Sequence, residues 1–201
     1  LIEFIVRARS APVEADRFLA SIGTGVGVEY LADIVRHAMF ISQGHRSDAC
    51  LSLVLEKSAD FSRVLRISGS DLGSLPDLHE MSLLRAIADA LRSASTLGKD
   101  ESITDSRGIE VTAVSFEHLV KARTESHQVL LMDADGADLR EAELAQDVVF
   151  VLTDHTPMPK NTFKSMARQG VQKISVGPVM LHTAQCISLV LNEIDRRGLT
   201  R

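Results

Sequence analysis

Cys50 and Cys186 are the only cysteines in 201 residues, and they stand far apart in apolar segments. With no C-x-x-C pair or zinc-like cluster, the sequence argues against a disulfide framework and a cysteine-built zinc site. No stretch approaches the roughly 18 to 20 uninterrupted apolar residues of a membrane span, so no membrane partner is expected. Residues 1–9 carry Glu3, Arg7 and Arg9 where a signal peptide keeps its apolar run, and a soluble, cytoplasmic protein is the expectation. Positive charge is not in excess either. The formal net charge is −5, so the molecule as a whole does not attract nucleic acid. The chain also lacks internal repeats, low-complexity tracts and the G-x-S-x-G elbow of α/β hydrolases. Gly23-Thr24-Gly25-Val26-Gly27 is not a spaced G-x-G-x-x-G and lies well beyond the first strand; it reads as a flexible entry to a helix.

Against these absences stand 45% hydrophobic and 24% charged residues, enough for a real core in one large domain or two tightly joined lobes. Residues 2–6 read as a first strand. Leu31, Ile34, Val35, Ala38 and Met39 follow helical spacing within 29–41. Residues 51–56 and 64–68 read as strands joined by a polar hairpin connection, and 79–94 as a helix with Met81, Leu84, Ile87, Ala88 and Leu91 on its buried stripe. The polar segment 95–107 is the expected lobe boundary or mobile loop, dividing the chain into lobes of about 1–107 and 108–201.

Beyond it, apolar strands at 109–114, 129–132, 148–152 and 173–176 alternate with helices at 116–124, 160–169 and 180–197. That alternation predicts an α/β fold, a mostly parallel sheet with helices on both faces. Parallel order gathers the loops at 133–136, 153–159 and 177–178 on the carboxyl edge, where open α/β sheets bind small molecules. Gly177-Pro178 is the sharpest of these elbows. Gly177 permits an unusual backbone, Pro178 stops the strand and can open the next helix, and the exposed N–H groups can receive a carboxylate, a phosphate or a nucleobase edge.

Charge is unevenly spread. Asp133, Asp135, Asp138, Glu141, Glu143 and Asp147 form an acidic stretch, whereas Lys160, Lys164, Arg168, Lys173, Arg196, Arg197 and Arg201 make the C-terminal part basic. His182 and Cys186 share a helix face, but two ligands do not make a zinc site, and no metal is expected. Asp154 and His155 are adjacent rather than separate partners in a triad.

Several segments taken together resemble the SPOUT methyltransferases, and within them the TrmY family of tRNA pseudouridine N1-methyltransferases. They are Glu3-Phe4-Ile5, Phe40-Ile41-Ser42 with Arg46 and Asp48, the 132–136 turn, Asp154-His155, and Leu181-His182 with Cys186-Ile187. The resemblance covers nearly the whole chain. It implies a C-terminal trefoil knot, a homodimer, and S-adenosyl-L-methionine held in the knot loops. By position it assigns Met132, Thr153, Ser175, Val176, Gly177, Pro178, Leu181 and Cys186 to the cofactor, and Arg7, Arg9 and Arg46 to RNA phosphates. The family pattern has glycine where this chain has Thr153, and a basic-acidic pair where it has Val28-Glu29.

The implied reaction is in-line transfer of a methyl group to N1 of a pseudouridine in tRNA or another RNA. Asp48 and Asp154 are the acidic candidates to take the departing proton. The competing readings are a non-catalytic RNA-binding or assembly protein with the same fold, and methylation of a different RNA nucleotide.

Overall fold

Alternation along the strands decides which helix covers which face. The computed structural model describes residues 1–73, 75 and 77–199, so Arg201 of the expected basic part lies outside the described residues. The first half runs β1 (Ile2–Pro12), α1 (Ala15–Ala20), α2 (Glu29–Met39), β2 (Phe40–Ile41), β3 (Gly44–His45), β4 (Ala49–Lys57), β5 (Arg63–Ser68) and α3 (Glu80–Ser93). The second runs β6 (Ser102–Thr104), β7 (Ile109–Thr112), α4 (Phe116–Thr124), β8 (Gln128–Asp138), β9 (Val148–Thr153), α5 (Lys160–Arg168), β10 (Gln172–Ser175) and α6 (Thr183–Arg196). Among the described residues no helix is long and apolar enough to cross a membrane.

Phe4 and Val6 of β1 join Phe150 and Leu152 of β9 in one core, covered by α1, α2, α3 and α6 through Phe18, Leu31, Ile34, Leu84, Ile87, Ile187 and Val190. Ile5, Val149 and Val151 point the other way, into a smaller core under α4 and α5 built with Phe116, Val120 and Met166. Phe4 and Phe150 stack at 5.6 Å, both fully buried. Each such side chain contributes about 1.5–3 kcal/mol by leaving water.

One sheet carries eight strands in the order β10-β8-β9-β1-β4-β5-β7-β6. From β10 to β4 all neighbours are parallel, whereas β5, β7 and β6 extend the sheet antiparallel. The strand at 109–112 therefore belongs to the antiparallel end and is not part of the parallel set that sequence alternation suggested. Within the polar 95–107 segment lies β6, an edge strand whose three residues are all exposed. It buries no side chain, so it leaves no apolar signature.

Other boundaries shift for local reasons. Helix α2 stops at Met39 because Phe40 turns extended and pairs with His45 in a small hairpin. Helix α1, six residues with only Ala15 and Phe18 buried, is too short to show a period. The last helix begins at Thr183, five positions past Pro178, with His182 extended as its N-cap. The connection after β10 is thus a longer loop than a Gly-Pro elbow.

Strand β8 is longer than the predicted 129–132 and does not run straight. Leu131 pairs with Lys173 and Ala137 with Ile174, so residues 132–136 leave the ladder while the partner advances by one. Gly136 permits the return, because a Cβ there would stand 2.5 Å from the backbone of Ile174. Backbone cannot yield as a side-chain tip can. Gly136→Ala is predicted to cost about 1–3 kcal/mol of stability by forcing β10 off β8, read as a lowered urea midpoint. An unchanged midpoint would show that the two strands are not in close contact there.

Candidate active site

The carboxyl ends of β1, β9, β8 and β10 bring four loops to one edge, and the predicted cofactor residues divide among them. Met132 opens the 132–136 excursion and is partly buried against the larger core. Asp133 pairs with Lys173 at 2.8 Å. Burial works to raise the Asp133 carboxyl, but Lys173 and the Asp135 N–H outweigh it and hold the group below its ordinary range. Lys173 also stands 5.6 Å from the Phe163 ring, so it is occupied structurally.

Thr153 ends β9, and its carbonyl accepts a hydrogen bond from the Thr183 hydroxyl, which ties this loop to the start of α6. After β10, the Ser175 hydroxyl donates to the Gly177 carbonyl at 3.0 Å and accepts from the Gly177 N–H at 3.2 Å. Gly177 has φ 143°, and a Cβ there would meet nothing within 4 Å. Among the described residues the N–H groups of Val179, Met180 and Leu181 make no hydrogen bond. Cys186 is buried in the larger core, and burial pushes its thiol up.

Sequence reasoning missed the ring cluster beside these loops. Tyr30, the only tyrosine, stacks on His155 at 4.9 Å and stands tilted 5.8 Å from His182. Three segments meet in this way: the first turn of α2, the loop after β9 and the N-cap of α6. Gly27 lies against the same ring, since a Cβ there would stand 2.7 Å from His155 Cε1. The glycine-rich segment is therefore a close-packed neighbour of the site and more than a flexible entry. An exposed tyrosine outside the stripe of Leu31, Ile34, Val35 and Ala38 was the available signal.

Asp154 sits behind the rings with its side chain 3% exposed. Its Oδ1 accepts the Thr156 N–H at 2.8 Å, and its Oδ2 lies 3.6 Å from His155 Nδ1. Burial raises its carboxyl, and neither the Thr156 N–H nor His155 cancels that effect. A buried carboxylate held above its ordinary range at the loop edge of a sheet is a candidate functional group. Asp48 is elsewhere. It precedes β4 at the amino edge, roughly 20 Å away along the strands of the same chain, and Arg46 takes both its oxygens at 3.2 and 3.1 Å.

The three predicted RNA arginines do not share a surface. Arg7 is buried, with its guanidinium on Glu56 at 3.0 Å, Thr162 at 3.0 Å and Glu117 at 2.9 Å, 4.3 Å from the Phe116 ring centre. It locks α4 and α5 to the sheet and has no face left for phosphate. Arg46 pairs with Asp195 at 2.5 Å as well as with Asp48, and the Asp195 hydrogen bond leads in raising it above the ordinary guanidinium range. Arg9 alone is exposed at the carboxyl edge, donating to the Pro157 carbonyl at 3.4 Å. The departures from the family pattern have local roles: Val28 is buried in the larger core, and the Glu29 carboxylate accepts the Gly23 N–H.

A parallel α/β sheet with loops, rings and a buried carboxylate gathered at its carboxyl edge is the doubly covered α/β class, in which that edge is the usual place for a small-molecule site. Comparison with known proteins gives the family. Residues 1–199 match the family described as "Putative SAM-dependent RNA methyltransferase". A Vibrio parahaemolyticus protein is 41% identical over 194 residues, covering 96% of this chain and 98% of its own. One from Photobacterium profundum is 42% identical over 192 residues, covering 96% and 97%. Both are named "Putative pseudouridine methyltransferase". The crystal structure of Archaeoglobus fulgidus Nep1 bound to S-adenosylhomocysteine superposes with a TM-score of 0.56 at 12% identity, covering 98% of each chain, and shows a shared SPOUT-like fold. The chain belongs to the S-adenosylmethionine-dependent RNA methyltransferase family.

The residues present fit such a cofactor. Unsatisfied backbone donors at 179–181 and open space at Gly177 suit a nucleoside edge, which is held mainly by main-chain groups.

The raised Asp154 carboxyl sets a pH signature. Between its ordinary value of 3.8 and its higher folded value the native state binds more protons than the unfolded chain, so this group subtracts stability as pH rises through that window. Asp154→Asn is predicted to be more stable than the parent at neutral pH, with the gain vanishing as pH falls below about 4. Denaturation across pH 3 to 8 checks this, and a gain independent of pH would contradict it.

Proposed function

We propose that this methyltransferase modifies N1 of pseudouridine in tRNA or another RNA, in the cytoplasm, with S-adenosyl-L-methionine bound by the loops at 132–136, 153–156 and 175–181. The observation that carries the reading is the meeting of those loops with the Asp154-His155 pair and Tyr30 at one edge. The names of the relatives that match nearly the whole chain support the choice of base.

The cofactor, when bound, supplies a methyl group already activated on a sulfonium sulfur. The chain's part is to align, to exclude water and to remove one proton. Tyr30 and His182 offer ring faces against which the target base can stack once it has left its helix. His155 is the exposed partner of the pair and would take the proton of the target N1. Asp154, too buried to reach a substrate, orients that imidazole and stabilises its cationic form. Met132, Ser175, Val176, Pro178, Leu181 and Cys186 shape the cofactor pocket around the backbone donors, and Thr153 narrows it.

We read the part from about residue 108 onward as a trefoil knot. Arg197, just past α6, donates at 2.6 Å to the carbonyls of Leu139 and Ala142, which ties the C-terminal helix to the segment closing the β8 excursion. A homodimer is supported by apolar side chains left exposed on the loop before α6 and on α6 itself. Val179, Met180 and Leu189 are 67%, 84% and 44% exposed. Leu189→Asp is predicted to convert the dimer to a monomer in sedimentation; a dimer that survives would place the interface elsewhere.

The test of function is methyl incorporation from labelled S-adenosylmethionine into a stem-loop RNA carrying pseudouridine or uridine at one position. Transfer only to the pseudouridine RNA is expected. His155→Ala is expected to lower kcat by about 10²–10⁴-fold with unchanged binding of S-adenosylhomocysteine. Cofactor binding without any transfer would favour the non-catalytic reading, and transfer to the uridine RNA would point to another nucleotide.

A further inference from the structure

Many cations of this acidic protein are already spent on partners. Arg7, Arg46, Arg92, Arg107, Arg123, Arg140, Lys173 and Arg197 all pair with carboxylates. Of those without an ion pair among the described residues, Arg85, Lys99 and Lys121 lie on separate segments, whereas helix α5 gathers three. Its sequence Lys-Asn-Thr-Phe-Lys-Ser-Met-Ala-Arg contains three cations and no acid. Thr162 and Met166 face inward, while Lys160, Lys164 and Arg168 are exposed and make no ion pair or hydrogen bond among the described residues.

At positions i, i+4 and i+8 these three stand above one another on one helix face, in steps of about 6 Å and over about 12 Å. The line begins at the site. Lys160 follows directly on the 154–159 loop, and Arg9 is held at the Pro157 carbonyl of that same loop, which sets a fourth cation at the line's head. Over roughly 12 Å a nucleic-acid strand, with a charge about every 3.4 Å of its axis, presents several phosphates. With a net charge of −5, the molecule has no general attraction for RNA, so binding depends on a local track of this kind.

We propose that the exposed face of α5, with Arg9 at its head, is the phosphate track that holds the RNA strand flanking the target nucleotide. Resting on the RNA-methyltransferase reading, it moves phosphate recognition away from Arg7 and Arg46 to side chains that are free to engage it. Such contacts position the strand without reading its sequence. They set affinity and salt dependence while leaving the choice of base to the ring cluster.

The test compares the full-length protein with the triple variant Lys160→Gln, Lys164→Gln, Arg168→Gln, using a fluorescein-labelled pseudouridine stem-loop RNA at several salt concentrations. Three lost contacts at about 0.7 each should reduce the slope of log K against log salt by about 2, and affinity at moderate salt should fall about tenfold or more. A control triple, Arg17→Gln, Arg85→Gln, Lys99→Gln, removes the same charge from α1, α3 and the following loop and should leave the slope unchanged. Calorimetry with S-adenosylhomocysteine reads the cofactor site separately, so its failure in the parent protein would sink the enzyme reading and not the track. An unchanged slope in the α5 variant, or an equal drop in the control, overturns the proposal. So does loss of binding to anionic lipid vesicles with RNA binding intact, which would assign the face to a membrane surface.

Discussion

The parallel ladder through β10, β8, β9, β1 and β4 is the constraint on which the site depends. Strands that run the same way end on the same edge, so every connection leaving them must emerge there. Strand β1 lies at the centre, paired in parallel with β4 on one side and β9 on the other. Its alternation also assigns the layers: Phe4 and Val6 call for the four-helix face, Ile5 for the two-helix face. The buried Glu3, bonded to Arg123 at 2.6 Å and Ser52 at 2.7 Å, and the buried Arg7 hold the thinner layer in place. Without that clamp the α4 and α5 helices would rest on a core of few side chains.

At the edge itself, local stability is given up. Asp154 is kept buried without a full counter-ion, the rings of Tyr30, His155 and His182 stay partly in water, and Val179 and Met180 are exposed on the loop before α6. Each of these would be improved by an ordinary core substitution. Their clustering at one edge is what separates the site from the sheet's amino edge, where Arg46, Asp48 and Asp195 satisfy one another. The second edge holds an open cavity of about 430 Å³ lined by Phe40, Ile41, His45, Leu72 and Leu78.

How much of this could be read in the sequence follows from what each residue's role leaves in the pattern. Central strands and the helices at 29–39, 80–93 and 116–124 were legible because burial imposes a period on apolar residues. Edge strand β6 and the short α1 were not, since neither buries enough to show one. The loops expected at 133–136, 153–159 and 177–178 do follow parallel strands to the carboxyl edge, since parallel order follows from strand-helix alternation, but the last of them runs on to His182. Which side chains meet there was only partly legible. Asp154 lies with these loops, whereas Asp48 and Arg46 pair at the amino edge and Arg7 is buried against Glu56 and Glu117, because sequence shows a charge and not its partner. Tyr30 was missed because its neighbours, His155 and His182, lie more than a hundred residues away.

The most direct test of the central claim is a titration of the isotopically labelled protein with S-adenosylhomocysteine, followed by amide chemical shifts. The account predicts the largest shifts at Met132–Gly136, Thr153–Thr156 and Ser175–His182, with Tyr30 among them. Shifts concentrated instead at Phe40–His45 and Leu72–Leu78 would place the cofactor at the opposite edge and contradict it.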